Sequence, residues 1–190
     1  MIIASQIAPP SHQQSDSTDT KQLKANLAQL RLERQPFYLT STDFENILNW
    51  KLGQQIGRQR AMRSANTDEN IRKITGLALT ITHDNKEYEL ELRINILCAL
   101  RGVAIPVASA VLALTFPNEY AVIDYRVWRQ VFGEEKTAFS LPDYKRYVNE
   151  IRRLAKELNW PVQEVDHAIW EYDKRYNNQV QATTEKNTQR

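Results

Sequence analysis

The chain has 190 residues, 42% of them hydrophobic and 25% charged. That is enough apolar side chain for one self-sufficient core, and it excludes a collagen-like or wholly disordered chain. The longest nearly apolar stretch, Val103 to Phe116, is too short to cross a bilayer and contains Pro106. The single cysteine, Cys98, excludes an internal disulfide framework and a four-cysteine zinc or iron–sulfur site, and a net charge of +2 leaves any basic surface to local clustering.

Met1 to Thr20 holds Pro9, Pro10 and a polar run, without the basic start or apolar core of a signal peptide. Residues 1–20 are expected to be an unstructured tail, and the polar end, Asn177 to Arg190, another. With no targeting signal, the expected location is the cytoplasm.

Between the tails the spacing is helical. Lys21 to Glu33 carries Leu23, Leu27, Leu30 and Leu32 on a near-helical stripe. Thr42 and Glu45 have capping-box spacing, which predicts a helix over 43–52 with Phe44, Ile47, Leu48 and Trp50 on its apolar side. Thr67 and Asp68 open a helix with Ile71, Ile74, Leu77, Ala78 and Ile81. Leu77 to Thr82 alone has strand character, but the longer period favours helix. A turn at His83-Asp84-Asn85 precedes a helix over 87–100, which Gly102 breaks. Further helices fit 105–115, 125–132 (stopped by Gly133) and 141–158, the last opened by Ser140 with Pro142 in its first turn. Pro161 opens a final helix carrying Val162, Val165, Ile169, Trp170 and Tyr172. The expected fold is an all-α, compact single-domain bundle of seven or eight helices spanning 21–176.

Two segments carry chemistry. In Leu100-Arg101-Gly102-Val103-Ala104-Ile105-Pro106-Val107-Ala108, two helices meet over a few residues. Gly102 tolerates positive φ, Val103 can plug the turn into the core, and the amides that follow lie at a helix N-terminus, where a phosphate can be held. The plainer alternative is a helix–helix corner with a packing glycine. Downstream, in Ala121-Val122-Ile123-Asp124-Tyr125-Arg126-Val127-Trp128-Arg129, Asp124 stands before a short amphipathic helix. It is either an N-cap or a catalytic carboxylate at a pocket mouth, and amide donors from a cap would also fix a catalytic carboxylate.

Taken together, the two segments resemble the helix-hairpin-helix DNA glycosylase superfamily, whose hairpin reads apolar-Pro-Gly-apolar-Gly before a small-residue helix. Leu100 to Ala108 is similar to that hairpin. Asp124, Val127, Trp128 and Arg129 are similar to the aspartate segment of endonuclease III-like members, and the separation of Pro106 from Asp124 fits. The match covers about residues 97–132. The resemblance implies a double-stranded DNA partner and base excision: a nucleotide is flipped out, and its N-glycosidic bond is hydrolysed while Asp124 stabilises the developing sugar cation. It implies that the amides of Gly102, Val103 and Ala104 hold a DNA phosphate. Bifunctional members place a Schiff-base lysine where this chain has Pro106, so the resemblance implies a water-using, monofunctional enzyme. Ala104 replaces the second hairpin glycine, which alters the cradle if that position needs a left-handed backbone. The family's iron–sulfur loop is absent, and no cofactor or metal is expected.

Arg101 in the turn is a phosphate-ligand candidate. Lys51, Arg58, Arg60 and Arg63 lie in a stretch without acids and are candidates for DNA backbone contact, or else form a solvated helix side. Arg126 and Arg129 either contact the backbone near the extruded nucleotide or pair with a carboxylate. Trp50, Trp128, Trp160 and Trp170 fall on apolar stripes and read as core rather than base-stacking wedges. Tyr125 lines a pocket or is buried. His12, His83 and His167 have no metal-ligand spacing. Glu87, Glu89 and Glu91 favour a helix dipole, and Cys98 reads as a small buried residue. Two other functions fit the same residues: a non-catalytic helix-hairpin-helix DNA-binding module in which Asp124 only caps, and a helical protein-interaction domain.

Overall fold

A computed structural model describes residues 18–188, with side chains described for 19–175. Among the described residues the chain is entirely helical: α1 (Thr18–Glu33), α2 (Ser41–Leu52), α3 (Arg60–Arg63), α4 (Asp68–Thr80), α5 (Lys86–Leu97), α6 (Ile105–Thr115), α7 (Tyr125–Phe132), α8 (Leu141–Leu158) and α9 (Val162–Thr188). A 3-10 stretch, Gly53–Gly57, joins α2 to α3.

α6 is the axis of the bundle. Every residue from Val107 to Thr115 is buried, as expected for a helix that is apolar on all sides. α1, α2 and α5 pack against it, α4 pairs with α2 and α5, and α8 and α9 close the far side with α7 held against α9. One apolar cluster runs from Leu27 in α1 to Ile169 in α9 and includes the fully buried Trp128, Tyr144 and Tyr147, so residues 27–169 share a single core. No helix among the described residues is long and apolar enough to cross a membrane.

Local chemistry explains most boundaries. Thr67 accepts from the Asn70 amide to open α4, and Ser140 with Asp143 forms a reciprocal capping box at α8. Pro161 directly precedes α9, and its carbonyl accepts from the amides of Glu164 and Val165. The helices expected at 105–115, 125–132 and 141–158 form over those residues.

Several expectations are corrected. The box at α2 is Thr40 with Asp43, two residues before the Thr42–Glu45 pair, because the Asp43 carboxylate reaches back to the Thr40 amide (2.8 Å) and is anchored from the other side by Arg34 at 2.5 Å. Leu32 and Leu77 leave their stripes and are exposed. The expected tail boundary at 20 lies inside α1, and 177–188 continue α9 as helical backbone; residues 1–17, with His12, Pro9 and Pro10, and residues 189–190 lie outside the described residues. Glu89 serves more than a dipole. It is buried and pairs with Arg93 (3.0 Å), whose guanidinium donates to the carbonyls of Ala78, Leu79 and Ile81 at the end of α4. Of the tryptophans only Trp128 is fully buried; Trp50, Trp160 and Trp170 are half-buried against the core.

Candidate active site and nucleic-acid interface

Asp124 opens α7. One carboxylate oxygen, Oδ1, accepts from the amides of Arg126 (2.9 Å) and Val127 (3.1 Å). Oδ2 lies 3.7 Å from the ammonium of Lys51, which is only 11% exposed and also donates to the Ile123 carbonyl (3.4 Å). Capping therefore occupies half of the carboxylate and leaves the other half beside a lysine from α2.

The extended residues ahead of Asp124 are tied down by side chains from three helices. Tyr144 of α8 donates to the Ala121 carbonyl (3.1 Å). The Val122 amide donates to Asp166 of α9 (2.9 Å). The Ile123 amide donates to Ser109 of α6 (3.2 Å). Ser109 stands four residues into α6, about 6 Å along its axis, so the segment crosses α6 one turn beyond its start.

Asp124 and Lys51 face a cavity of about 960 Å³ between α1, α2 and α9, at the upper end of the size range of ligand pockets. Its walls carry two indoles, Trp50 and Trp170, the His167 ring and the carboxamides of Asn46 and Asn49. Trp50 is oriented by a bond from its ring N–H to Thr20 (2.8 Å), and His167 stacks on Trp170. Flat aromatic faces with carboxamide donors and acceptors suit a planar heterocycle. Asp166 also reaches this cavity. It is buried, and that burial, with the Asp124 charge, raises its carboxyl to about 7 against the hydrogen bonds from Tyr147 and Val122 and the charge of Lys51.

The other candidates divide. Arg126 and Arg129 are committed to a carboxylate. Arg129 forks onto Asp173 of α9 (2.6 and 2.8 Å), Arg126 adds a third contact (3.0 Å) and Gln130 a fourth (2.7 Å). Burial would raise Asp173, but the hydrogen bonds from Arg129, Gln130 and Arg126 outweigh it and hold the carboxyl below its ordinary range. These two arginines lock α7 to α9. Tyr125 is 40% exposed, lies under both guanidinium groups and is not on the cavity wall.

At the turn between α5 and α6, Gly102 has φ +71°, and an added Cβ would meet Arg63 Cγ at 2.7 Å. The α3 segment thus packs directly on the turn. Asn66 fastens it further, donating to the Arg101 carbonyl and accepting from the Arg101 amide, both at 2.9 Å. Of the three amides expected to hold phosphate, that of Val103 is spent on the Leu100 carbonyl (3.1 Å). Ala104 is extended, at φ −117°, so alanine carries no left-handed strain there. Residues 101–104 do not line the cavity.

Arg63 packs on this turn and Arg101 belongs to it, with Arg58 and Arg60 a few residues before Arg63 on the chain; none of the four forms an ion pair among the described residues. Arg58 bonds Gln55 (3.3 Å), and Arg63 bonds the Ile56 carbonyl. Several arginines elsewhere are matched to acids, Arg34 to Asp43, Arg72 to Asp68, Arg146 to Glu134 and Arg153 to Glu150, whereas Arg31 and Arg152 donate to carbonyls. Lys51 belongs with Asp124 and not with this patch. Among the described residues no group of three or more His, Cys, Asp or Glu side chains is placed to hold a metal ion. His83 accepts from the Asn85 amide, and Cys98 is half-buried, with its thiol pushed up by that burial.

Comparison with known proteins adds no relative: no family model, curated protein or solved structure matches the chain. Sequence reasoning missed Asp166, Asp173 and the pairing of Lys51 with Asp124. A signal was present for the first two, since Asp166 and Asp173 stand seven apart, two turns along one face of an otherwise apolar helix side. Nothing local marks Lys51.

Proposed function

We propose that the chain binds duplex DNA and hydrolyses an N-glycosidic bond, acting as a monofunctional base-excision glycosylase with Asp124 as its catalytic carboxylate. The observation that carries this reading is the state of Asp124: anchored through Oδ1 by two amides, with Oδ2 beside Lys51, and both residues on the wall of an aromatic-lined cavity large enough for an extruded nucleoside. A carboxylate so held stabilises the oxocarbenium character of the sugar as the base departs and orients the attacking water. Lys51 balances its charge. The unpaired arginines supply the sequence-independent grip on phosphates.

The decisive measurement is base release from duplex oligonucleotides carrying a panel of damaged or mismatched bases. Asparagine caps helices as well as aspartate does, so Asp124→Asn should fold normally and lose release by about a hundredfold or more. Equal release by the variant would leave Asp124 as a cap and favour the non-catalytic DNA-binding module. With proline at position 106, borohydride should trap no adduct from the α6 position; an adduct mapped to Lys51 would replace the water step by amine attack.

Duplex affinity tests the arginine patch separately. Arg60→Ala and Arg101→Ala should each weaken binding uniformly across sequences and reduce the logarithmic salt slope by about 1. An unchanged slope in both variants would move the duplex to another face.

A further inference from the structure

Asp166 is the buried acid of the cavity that the reading above does not use. It sits in the second turn of α9, is 4% exposed, and meets no cation in an ion pair among the described residues. Asp173, two turns later on the same helix, is equally hidden but is met by Arg126, Arg129 and Gln130. An acid needed only for packing would gain from such a partner or from an apolar replacement. Asp166 instead spends both oxygens on one task. Oδ2 accepts from the Val122 amide at 2.9 Å, and Oδ1 accepts from the hydroxyl of Tyr147, itself fully buried on α8. Val122 is two residues before Asp124, within the same extended stretch that Ser109 and Tyr144 hold.

We propose that Asp166 is the positioning residue for Asp124: it fastens the backbone at Val122 to α8 and α9, so that the Asp124 carboxylate faces the cavity with Lys51 at its side. This deepens the glycosylase reading and rests on it for the role of Asp124. The Val122 bond serves both protonation states: Oδ2 accepts from that amide either way, while at Oδ1 the carboxylate accepts from the Tyr147 hydroxyl and the neutral acid carries its own proton there and donates to the phenol oxygen. Ionisation, with a midpoint near 7, places a second negative charge beside Asp124 and draws Lys51 toward a competing carboxylate. The charged and titratable groups around it are Lys51 from α2, Asp124 at the start of α7, Tyr144 and Tyr147 from α8, and on the cavity wall His167, Glu171 and Lys174 of α9 and Asp19 of α1.

The test compares Asp166→Leu with Asp166→Asn in the full chain. Leucine removes the acceptor for Val122, whereas asparagine keeps it and does not titrate. In the native protein the amide resonances of Val122, Arg126 and Val127 should shift together with one midpoint near pH 7. Asp166→Asn should abolish that midpoint, and Asp166→Leu should displace the Arg126 and Val127 amides at every pH. On a lesion that the protein releases, Asp166→Leu should lower turnover by about tenfold or more with duplex affinity kept within about twofold, and Asp166→Asn should recover most of the loss and flatten the pH profile above 7. Asp166→Leu leaving the Arg126 and Val127 amides in place overturns the proposal. If no lesion is released, the glycosylase reading fails by itself, and the resonances still decide whether Asp166 sets the position of Asp124.

Discussion

Gly102 shows how one missing side chain links two parts of the molecule. Its φ of +71° is a conformation that costs other residues about 1 kcal/mol or more. Its open face also lets Arg63 and Met62 of α3 press against the turn. Gly133, at the end of α7, has nearly the same φ (+69°) but nothing within 4 Å of where its Cβ would lie. It serves as an internal control. In urea titrations Gly133→Ala should cost about 1 kcal/mol, the conformational part alone. Gly102→Ala should cost about 1–3 kcal/mol more, because overpacking adds to it, and it should displace α3. Equal losses would mean that the α3 contact contributes nothing. For the same reason Gly102→Asp is a poor probe of phosphate binding: weaker DNA binding would follow from a shifted arginine patch as readily as from a blocked amide.

Among the elements, α7 is the one whose placement depends on charge. It is only eight residues long, too short to persist alone. Its inner face buries Val127, Trp128 and Val131, and its outer arginines fork onto Asp173, which is fully buried. Asp173→Ala would leave two guanidinium groups facing a vacated buried site, and should cost about 3 kcal/mol of stability at pH 7. The folded Asp173 carboxyl lies below its ordinary range, so this contribution is present above about pH 4 and fades as pH falls through the folded value. The native and Asp173→Ala proteins should therefore converge in stability at low pH; a gap that persists to pH 2 would show that the loss comes from packing alone.

Across the described residues, the carboxylates pull in opposite directions with pH. The half-buried Asp43 and Asp143 and the buried Asp173 are held low by bonded partners, whereas burial lifts Asp166 to about 7. A carboxyl raised in the folded state favours folding fully only below its unfolded value, near 3.8, and that advantage is lost as pH rises through 7. Asp166→Asn removes this dependence. Its stability relative to the native protein should rise between pH 5 and pH 8 by an amount on the order of 2–3 kcal/mol, read from paired urea titrations. A constant difference across that range would show that Asp166 does not titrate there. The molecule thus holds one unpaired buried acid at its candidate site, the kind of local cost that functional sites carry.

Much of the fold was legible in the sequence because its signals act over three or four residues. Asp124 ahead of an amphipathic run specified the α7 cap, Ser140 with Pro142 specified the start of α8, and the glycine at 102 marked the turn before the apolar α6. The same local logic misplaced the α2 box by two residues, since Arg34, nine positions from Asp43, helps to select Thr40. Partner choice was not legible. Lys51 lies in an acid-free stretch and read as a phosphate contact or part of a solvated helix side, yet it meets the Asp124 segment 72 positions away. Arg126 and Arg129 read as either backbone contacts or partners of a carboxylate, and only the fold supplied that carboxylate, Asp173, from more than forty positions on. Helix, cap and turn follow from neighbours along the chain and so belong to the sequence by itself. Which charge is neutralised, which acid stays unpaired and which arginines remain open to a polyanion depends on what packing places within a few ångströms, and only the tertiary structure decides that.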